Sequence, residues 1–114
     1  MRRYLRFVSH KRKARARDFQ CRAGETFLSW YEFSDGLDLV RLQESNPTPE
    51  GSFRAIWCVS LDVLSKLDLH PKPNVVPGPF GDHHCSSECP DDSQAQQLAK
   101  EARCVRLYVS RKAR

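Results

Sequence analysis

The sequence predicts a small α+β domain with an antiparallel sheet of about four strands, two short helices and a loop held by zinc. Three observations predict this class. Short runs in which apolar and polar residues alternate, as in strands, recur between turn-forming segments. One other segment carries leucines at helical spacing after a capping serine, and another opens with a proline and two aspartates, as helices often do. A chain of 114 residues has room for one domain, so these elements are expected to share one fold.

The first half of the chain predicts strands. Residues 4–8 fit either a short strand or the first turn of a helix. An aromatic segment followed by a Ser-Asp-Gly turn predicts a hairpin over residues 26–42. Its four aromatic side chains are assigned to the core: Phe27, Trp30, Tyr31 and Phe33. After a loop over residues 46–51, residues 53–59 alternate as a further strand.

The second half predicts two helices and a last strand. Ser60 is placed to cap a short helix with three leucines on one side. Four prolines make residues 70–81 an extended connector. Pro90 and the two aspartates after it favour a helix that runs to about Arg103. Residues 104–110 then alternate as a strand.

Charge is segregated along the chain, although the net charge is only +5. Residues 1–22 carry nine Lys/Arg and one acid, residues 23–101 five Lys/Arg and thirteen acids, and residues 102–114 five Lys/Arg and no acid. The sequence therefore predicts three parts. These are a basic N-terminal arm (1–22), a single zinc-binding α+β domain (23–110) and a basic tail (111–114).

Residues 83–89 hold a Cys/His cluster with the spacing of zinc ligands. Cys85 and Cys89 are separated by three residues, and His83 and His84 directly precede them. Zinc sites use thiolates and imidazoles at such spacings. We expect both cysteines and one of the two histidines to bind the ion. The fourth ligand has three candidates, in order of preference: Cys58, Cys104 and His70.

Other roles for these residues stay open. Cys85 and Cys89 could form a disulfide, Cys58 could be a buried thiol, and the histidines could be solvated loop residues. The odd number of cysteines and the lack of an apolar signal-peptide run favour a reducing, intracellular setting. In that setting clustered Cys and His suggest a metal before a disulfide. No stretch approaches the roughly 20 apolar residues of a membrane span.

The arginine-rich arm suits a polyanionic partner, with RNA as the first choice. Four cations are the expected RNA contacts: Arg12, Lys13, Arg15 and Arg17. Tyr4, Phe7 and Phe19 interleave with the charges and are expected to stack on bases. Two other roles stay open. Residues 11–17 could be a nuclear localisation signal, or the arm could dock on an acidic surface, including that of a second copy in a homodimer.

The sequence does not predict an enzyme. It contains no Gly-rich phosphate loop and no recognisable nucleophile motif. Glu88 could serve a catalytic zinc as base, but its spacing does not match hydrolase or deaminase patterns. The alternative to an RNA-directed function is an intracellular adaptor or transcriptional regulator. Its basic arm would direct nuclear import, and its interface would lie around Trp30 and Tyr31.

Residues 50–103 contain a strand that ends near Cys58, a short helix, a connector with prolines, and a cysteine pair that leads into an acid-opened helix. In these features the chain resembles the small protein encoded by the first reading frame of sobemoviruses, a group of plant RNA viruses. The resemblance implies a zinc-binding protein that suppresses host RNA silencing and supports virus movement. It also implies silencing-pathway proteins of the host as partners, and a location in the host cytoplasm and nucleus.

The chain departs from the family pattern of two Cys-x-x-Cys pairs. Leu61 stands where the second cysteine of the first pair would lie, and the second pair is widened to Cys85-x3-Cys89. The resemblance therefore carries over Cys58, Cys85 and Cys89 as zinc ligands. A fourth ligand has to come from another residue, such as His83 or His84.

Overall fold

A computed structural model of the chain describes residues 2–8, 13–34, 36–45 and 53–109. Within these ranges the chain forms six strands, three α-helices and two 3₁₀-helices. The strands are β1 Arg3–Val8, β2 Leu28–Phe33, β3 Phe53–Ser60, β4 Lys72–Pro73, β5 His84–Ser87 and β6 Arg103–Val109. The α-helices are α1 Leu39–Ser45, α2 Leu61–Lys66 and α3 Asp92–Glu101, and the 3₁₀-helices span Ala16–Phe19 and Gly81–His83. The predicted α+β class is confirmed, but the sheet is larger than expected.

All six strands join one antiparallel sheet in the order β4-β5-β2-β1-β3-β6. Residues 3–8, which the charge pattern assigns to the basic arm, thus form a central strand between β2 and β3. Strand β6 lies at one edge of the sheet and pairs with β3. The other edge is β4, which has two residues and includes Pro73.

Side chains of a strand alternate between the two faces of a sheet, and each face of this sheet has its own core. The α3 face is covered by α2, α3 and the first 3₁₀-helix. Its buried residues include Tyr4, Val8, Phe19, Leu28, Trp30, Val59, Leu64, Cys85, Ala95 and Leu98. The α1 face is covered by α1 and the residues before it. Its buried residues are Leu5, Leu37, Leu42, Ile56 and Cys58.

The hairpin predicted over residues 26–42 is wrong in its second half, because residues 39–45 form α1. The Asp38 carboxylate accepts hydrogen bonds from the backbone N–H groups of Val40 and Arg41, at 2.9 and 3.3 Å. Such bonds satisfy donors at the start of a helix. Leu39 and Leu42 are three residues apart, and both pack on the α1 face. The helical spacing of these two leucines therefore determines the structure here, although the residues also alternate as in a strand.

The elements predicted around residue 60 and after residue 90 are confirmed. Ser60 Oγ accepts the N–H of Val63 at 3.3 Å and caps α2. Asp91 caps α3 by accepting the Gln94 N–H at 2.8 Å, and the Gln94 side chain accepts the Asp91 N–H at the same distance. This reciprocal pair is a capping box. The predicted last strand corresponds to β6.

The connector over residues 70–81 contains no α-helix, as its prolines predict. Gly81 approaches the backbone carbonyl of Val76 so closely that a β-carbon there would clash. The chain after this point was expected to be a metal-binding loop, but residues 84–87 form β5 and pair with β2. No helix among the described residues is long and apolar enough to cross a bilayer.

Candidate functional site

Two of the predicted zinc ligands are neighbours on β5 and therefore lie on opposite faces of the sheet. His84 lies on the α1 face, where its Nδ1 is 2.7 Å from the carbonyl oxygen of Asn74 and its ring meets the edge of Tyr31. Cys85 lies on the α3 face, buried opposite Trp30. A single ion on one face cannot bind both side chains.

Cys58 is on the α1 face, but it is too far from β5 to share an ion with it. The pairs Cys58–Leu5, Leu5–Tyr31 and Tyr31–His84 form one row across the sheet. Three strand spacings of about 4.8 Å separate the ends of that row by roughly 14 Å. A zinc–sulfur bond is about 2.3 Å long.

Cys89 is bonded to Cys21 in a disulfide, rather than to Cys85. Cys58, Cys85 and Cys104 are free thiols. Burial raises the pKa of both Cys58 and Cys85, which favours the neutral thiol over the thiolate that zinc needs.

The two other histidines among the candidate zinc ligands contact other side chains. His83 Nδ1 is 3.4 Å from Ser34 Oγ, and His70 binds Glu88. Within the described ranges, no group of three or more His, Cys, Asp or Glu side chains is placed to hold a metal ion. The proposed ligand set does not fit one zinc ion in this arrangement, and zinc binding stays a prediction of the sequence.

The basic segment 13–22 is anchored to the fold. Phe19 is fully buried and stacks on Trp30, with 6.1 Å between the ring centroids. The Gln20 side chain donates to the Asp92 carboxylate at 2.8 Å, and Cys21 is covalently bonded to Cys89. These three contacts fix the backbone beside α3. The segment is therefore part of the folded domain, although its cations are exposed.

Three of the four cations expected to bind RNA are exposed on this segment: Lys13, Arg15 and Arg17. Arg12 lies outside the described residues. Arg22 is also exposed, at the far end of the segment. The exposed cations thus project from a turn whose position is set by the buried Phe19 and by the Cys21–Cys89 disulfide.

A cavity of about 230 Å³ lies between this segment and the strands β1 and β2. Its lining contains three arginines together with two acids and a phenylalanine: Arg6, Arg17, Arg22, Asp18, Glu25 and Phe7. Arg6 is half-buried and is the deepest of the cations. Its Nε donates to the carbonyl of Asp18 at 2.7 Å, and an Nη donates to the carbonyl of Ser29 at 2.6 Å.

The charge of Arg6 is not neutralised by a direct ion pair with any described residue. Both of its hydrogen bonds go to neutral backbone carbonyls. Burial lowers the pKa of Arg6 to about 10, so the group stays protonated at neutral pH. The Asp18 carboxylate accepts the N–H of Arg15 at 2.7 Å, and the Glu25 carboxylate accepts the N–H of Arg22 at 2.5 Å. Three arginines against two acids leave a surplus of one positive charge.

The sequence did not indicate that Arg6 and Arg22 belong to one site. The sequence does contain one indication of the position of Arg6. Arg6 alternates with Tyr4 and Val8, so it lies on the α3 face of β1 with them. The expectation that Tyr4 and Phe19 stack on bases is wrong, because they are 3% and 0% exposed. Phe7 is half-buried and borders the cavity, but its ring packs against Tyr31 on the α1 face.

Comparison of the chain with protein-family models, curated proteins and solved structures finds no match. The protein is therefore classified from its own fold and site alone. The described residues form an α+β domain with a cationic cavity beside an anchored turn that carries arginines. The sobemovirus resemblance stays an expectation of the sequence.

Proposed function

We propose that this protein binds single-stranded RNA through a cationic surface formed by Arg6, Arg15, Arg17 and Arg22. The observation that carries the proposal is the convergence of three of these arginines on one cavity. Guanidinium groups bind phosphate oxygens through paired, charge-assisted hydrogen bonds.

The anchoring of the segment favours binding. Ordering a flexible basic arm on RNA costs conformational entropy for each residue that is fixed. Here Phe19 and the Cys21–Cys89 disulfide already hold the backbone in place. The arginine side chains still lose freedom on binding, but the backbone between them does not.

The size of the cavity favours a single strand over a duplex. Phe7 borders the cavity, but its ring lies on the α1 face in edge contact with Tyr31, so the proposed binding is assigned to the arginines and not to a stacked base. The two nearby acids are directed to backbone N–H groups by the hydrogen bonds of the turns, so their repulsion of phosphate is reduced.

The test is the salt dependence of binding to a fluorescent single-stranded RNA, measured by anisotropy between about 50 and about 200 mM salt. The triple variant Arg15→Gln, Arg17→Gln, Arg22→Gln removes three exposed cations without changing buried residues. Each lost phosphate contact lowers the slope of log affinity against log salt by about 0.7 for single strands, so we expect the slope to fall by about 2.

The matched control is Arg41→Gln, Lys66→Gln, Lys72→Gln. These three residues are also exposed, and none of them lines the cavity. Both variants lower the net charge from +5 to +2. The proposal predicts that only the first variant loses affinity strongly. Equal losses would show that binding depends on overall charge, and an absence of RNA binding in the unsubstituted protein would reject the proposal.

Suppression of RNA silencing and support of virus movement are the wider roles that the sequence resemblance implies, and we retain them as part of this proposal. RNA binding supplies a mechanism for them, because a bound RNA is withheld from the silencing machinery. The adaptor alternative has less support, since Trp30 of its expected interface is fully buried.

A further inference from the structure

We propose that the cavity around Arg6 receives the terminal phosphate monoester of the RNA strand. This inference rests on the proposed RNA binding and specifies which part of the strand enters the protein. The exposed arginines outside the cavity would contact the backbone phosphates that follow.

The size of the cavity favours a strand end. Its volume of about 230 Å³ is below the roughly 300–1,000 Å³ of pockets that enclose drug-sized ligands. A water molecule occupies about 30 Å³, so the cavity has room for a phosphate and part of its sugar. A phosphate in the middle of a strand would need room for chain on both sides.

The depth of the cations favours the same conclusion. Arg6 is half-buried between the first 3₁₀-helix and β2, whereas Arg17 and Arg22 are exposed at the rim. A guanidinium has five N–H donors, and the two described hydrogen bonds of Arg6 use only two of them. A group that reaches Arg6 therefore has to enter past the two rim arginines and end there.

The charge balance favours a monoester over a diester. A phosphate monoester carries about −1.5 to −2 at neutral pH, against −1 for a backbone diester. The cavity presents three arginines, and its two carboxylates are already hydrogen-bonded to backbone N–H groups. The cavity has a surplus of one positive charge around the half-buried Arg6, and it attracts the more negative monoester more strongly than the diester.

The experiment compares one RNA sequence in three forms, with a 5′-phosphate, a 3′-phosphate or hydroxyl groups at both ends, by fluorescence anisotropy. Charge-assisted hydrogen bonds to a terminal phosphate predict roughly ten- to hundredfold tighter binding of a phosphorylated form. Inorganic phosphate should abolish this preference, whereas chloride at the same ionic strength should not.

Two single variants locate the effect. Arg22→Gln, at the rim of the cavity, should remove most of the preference for the phosphorylated end. Arg15→Gln, outside the cavity lining, should weaken all three forms alike. Both side chains are exposed, so neither substitution disturbs the core. Substitution of Arg6 is avoided because its hydrogen bonds join β1 to Asp18 and Ser29.

The outcomes separate this inference from the proposed function. A preference for either phosphorylated end that is lost in Arg22→Gln supports the inference. Equal affinity for all three forms overturns it while RNA binding stands. Failure to bind any of the three forms overturns the proposed function and this inference together.

Discussion

The two faces of the sheet are packed to different degrees. On the α3 face, Trp30 and Phe19 are fully buried under three helical elements. On the α1 face, α1 covers the centre, but Phe7, Tyr31 and Phe33 remain half-buried around it. Because the free energy gained on folding scales with the apolar area that is buried, the α3 face should contribute more to stability. The basic segment is attached to this better-packed face.

The largest expected effect comes from substituting the adjacent residues Trp30 and Tyr31, which lie on opposite faces. Trp30→Ala should cost about 3–5 kcal/mol of unfolding free energy, because it leaves a large cavity in the α3 core. Tyr31→Ala should cost roughly half as much, since its side chain is already partly in water. Urea denaturation followed by circular dichroism measures both. Equal losses would contradict the difference between the faces.

The disulfide is expected to give the next largest effect. The double variant Cys21→Ser, Cys89→Ser should lower the unfolding free energy by about 2–4 kcal/mol, since the bond closes a long loop. Cys104→Ser is the control, because Cys104 is exposed and free. It should change stability by less than about 0.5 kcal/mol.

Thiol titration of the denatured protein checks the same bond directly. The structure predicts three reactive thiols without reductant, from Cys58, Cys85 and Cys104, and five after reduction. Five thiols without reductant, accompanied by bound zinc, would instead favour the metal site that the sequence predicts.

The smallest expected effect is a pH dependence at the contact between His70 and Glu88, which joins the end of α2 to the end of β5. His70 Nδ1 is 2.7 Å from a Glu88 carboxylate oxygen, and the other oxygen accepts the His70 N–H. The side-chain hydrogen bond that His70 donates to the Glu88 carboxylate raises the pKa of His70. Partial burial acts to raise the pKa of Glu88, but its hydrogen bonds with His70 outweigh this and lower it.

The sign of the effect differs for the two partners. The contribution of His70 is complete below its ordinary pKa of 6.5 and is lost as the pH rises through its raised folded value. The contribution of Glu88 is complete above 4.5 and is lost as the pH falls through its lowered folded value. The contact should therefore stabilise most between those two values. In an NMR titration, Glu88→Gln should return the His70 midpoint toward 6.5, and an unchanged midpoint would refute the contact.

The elements that the sequence predicts correctly are those specified by adjacent residues. Ser60 and Asp91 cap their helices through bonds to N–H groups three residues away, and β3 shows its alternation over eight residues. The short strands β4 and β5 have no comparable local signal, because they are strands only through pairing with neighbours. The sequence around α1 is also ambiguous, because its few leucines fit a strand as well as a helix.

The candidate site depends still more on the tertiary fold. Its cavity unites Arg6 on β1 with Arg17 and Arg22, and it exists only because the first 3₁₀-helix packs beside β2. Likewise, the disulfide joins cysteines 68 residues apart. The sequence spacing of Cys85 and Cys89 predicts a shared metal site. In the structure Cys85 lies on the α3 face of β5, whereas His84 and Cys58 lie on the α1 face.

The unequal edges of the sheet limit how copies of the chain could associate. At the β4 edge there are only two residues, and Pro73 lacks the N–H that a neighbouring strand would need. At the β6 edge a strand of seven residues pairs with β3 on one side. Among the strands of the described residues none pairs with the other side of β6, and a sheet extended at that edge alone can accept a single antiparallel neighbour of the same kind. Strand-to-strand association would therefore close as a symmetric pair and could not propagate into a fibre.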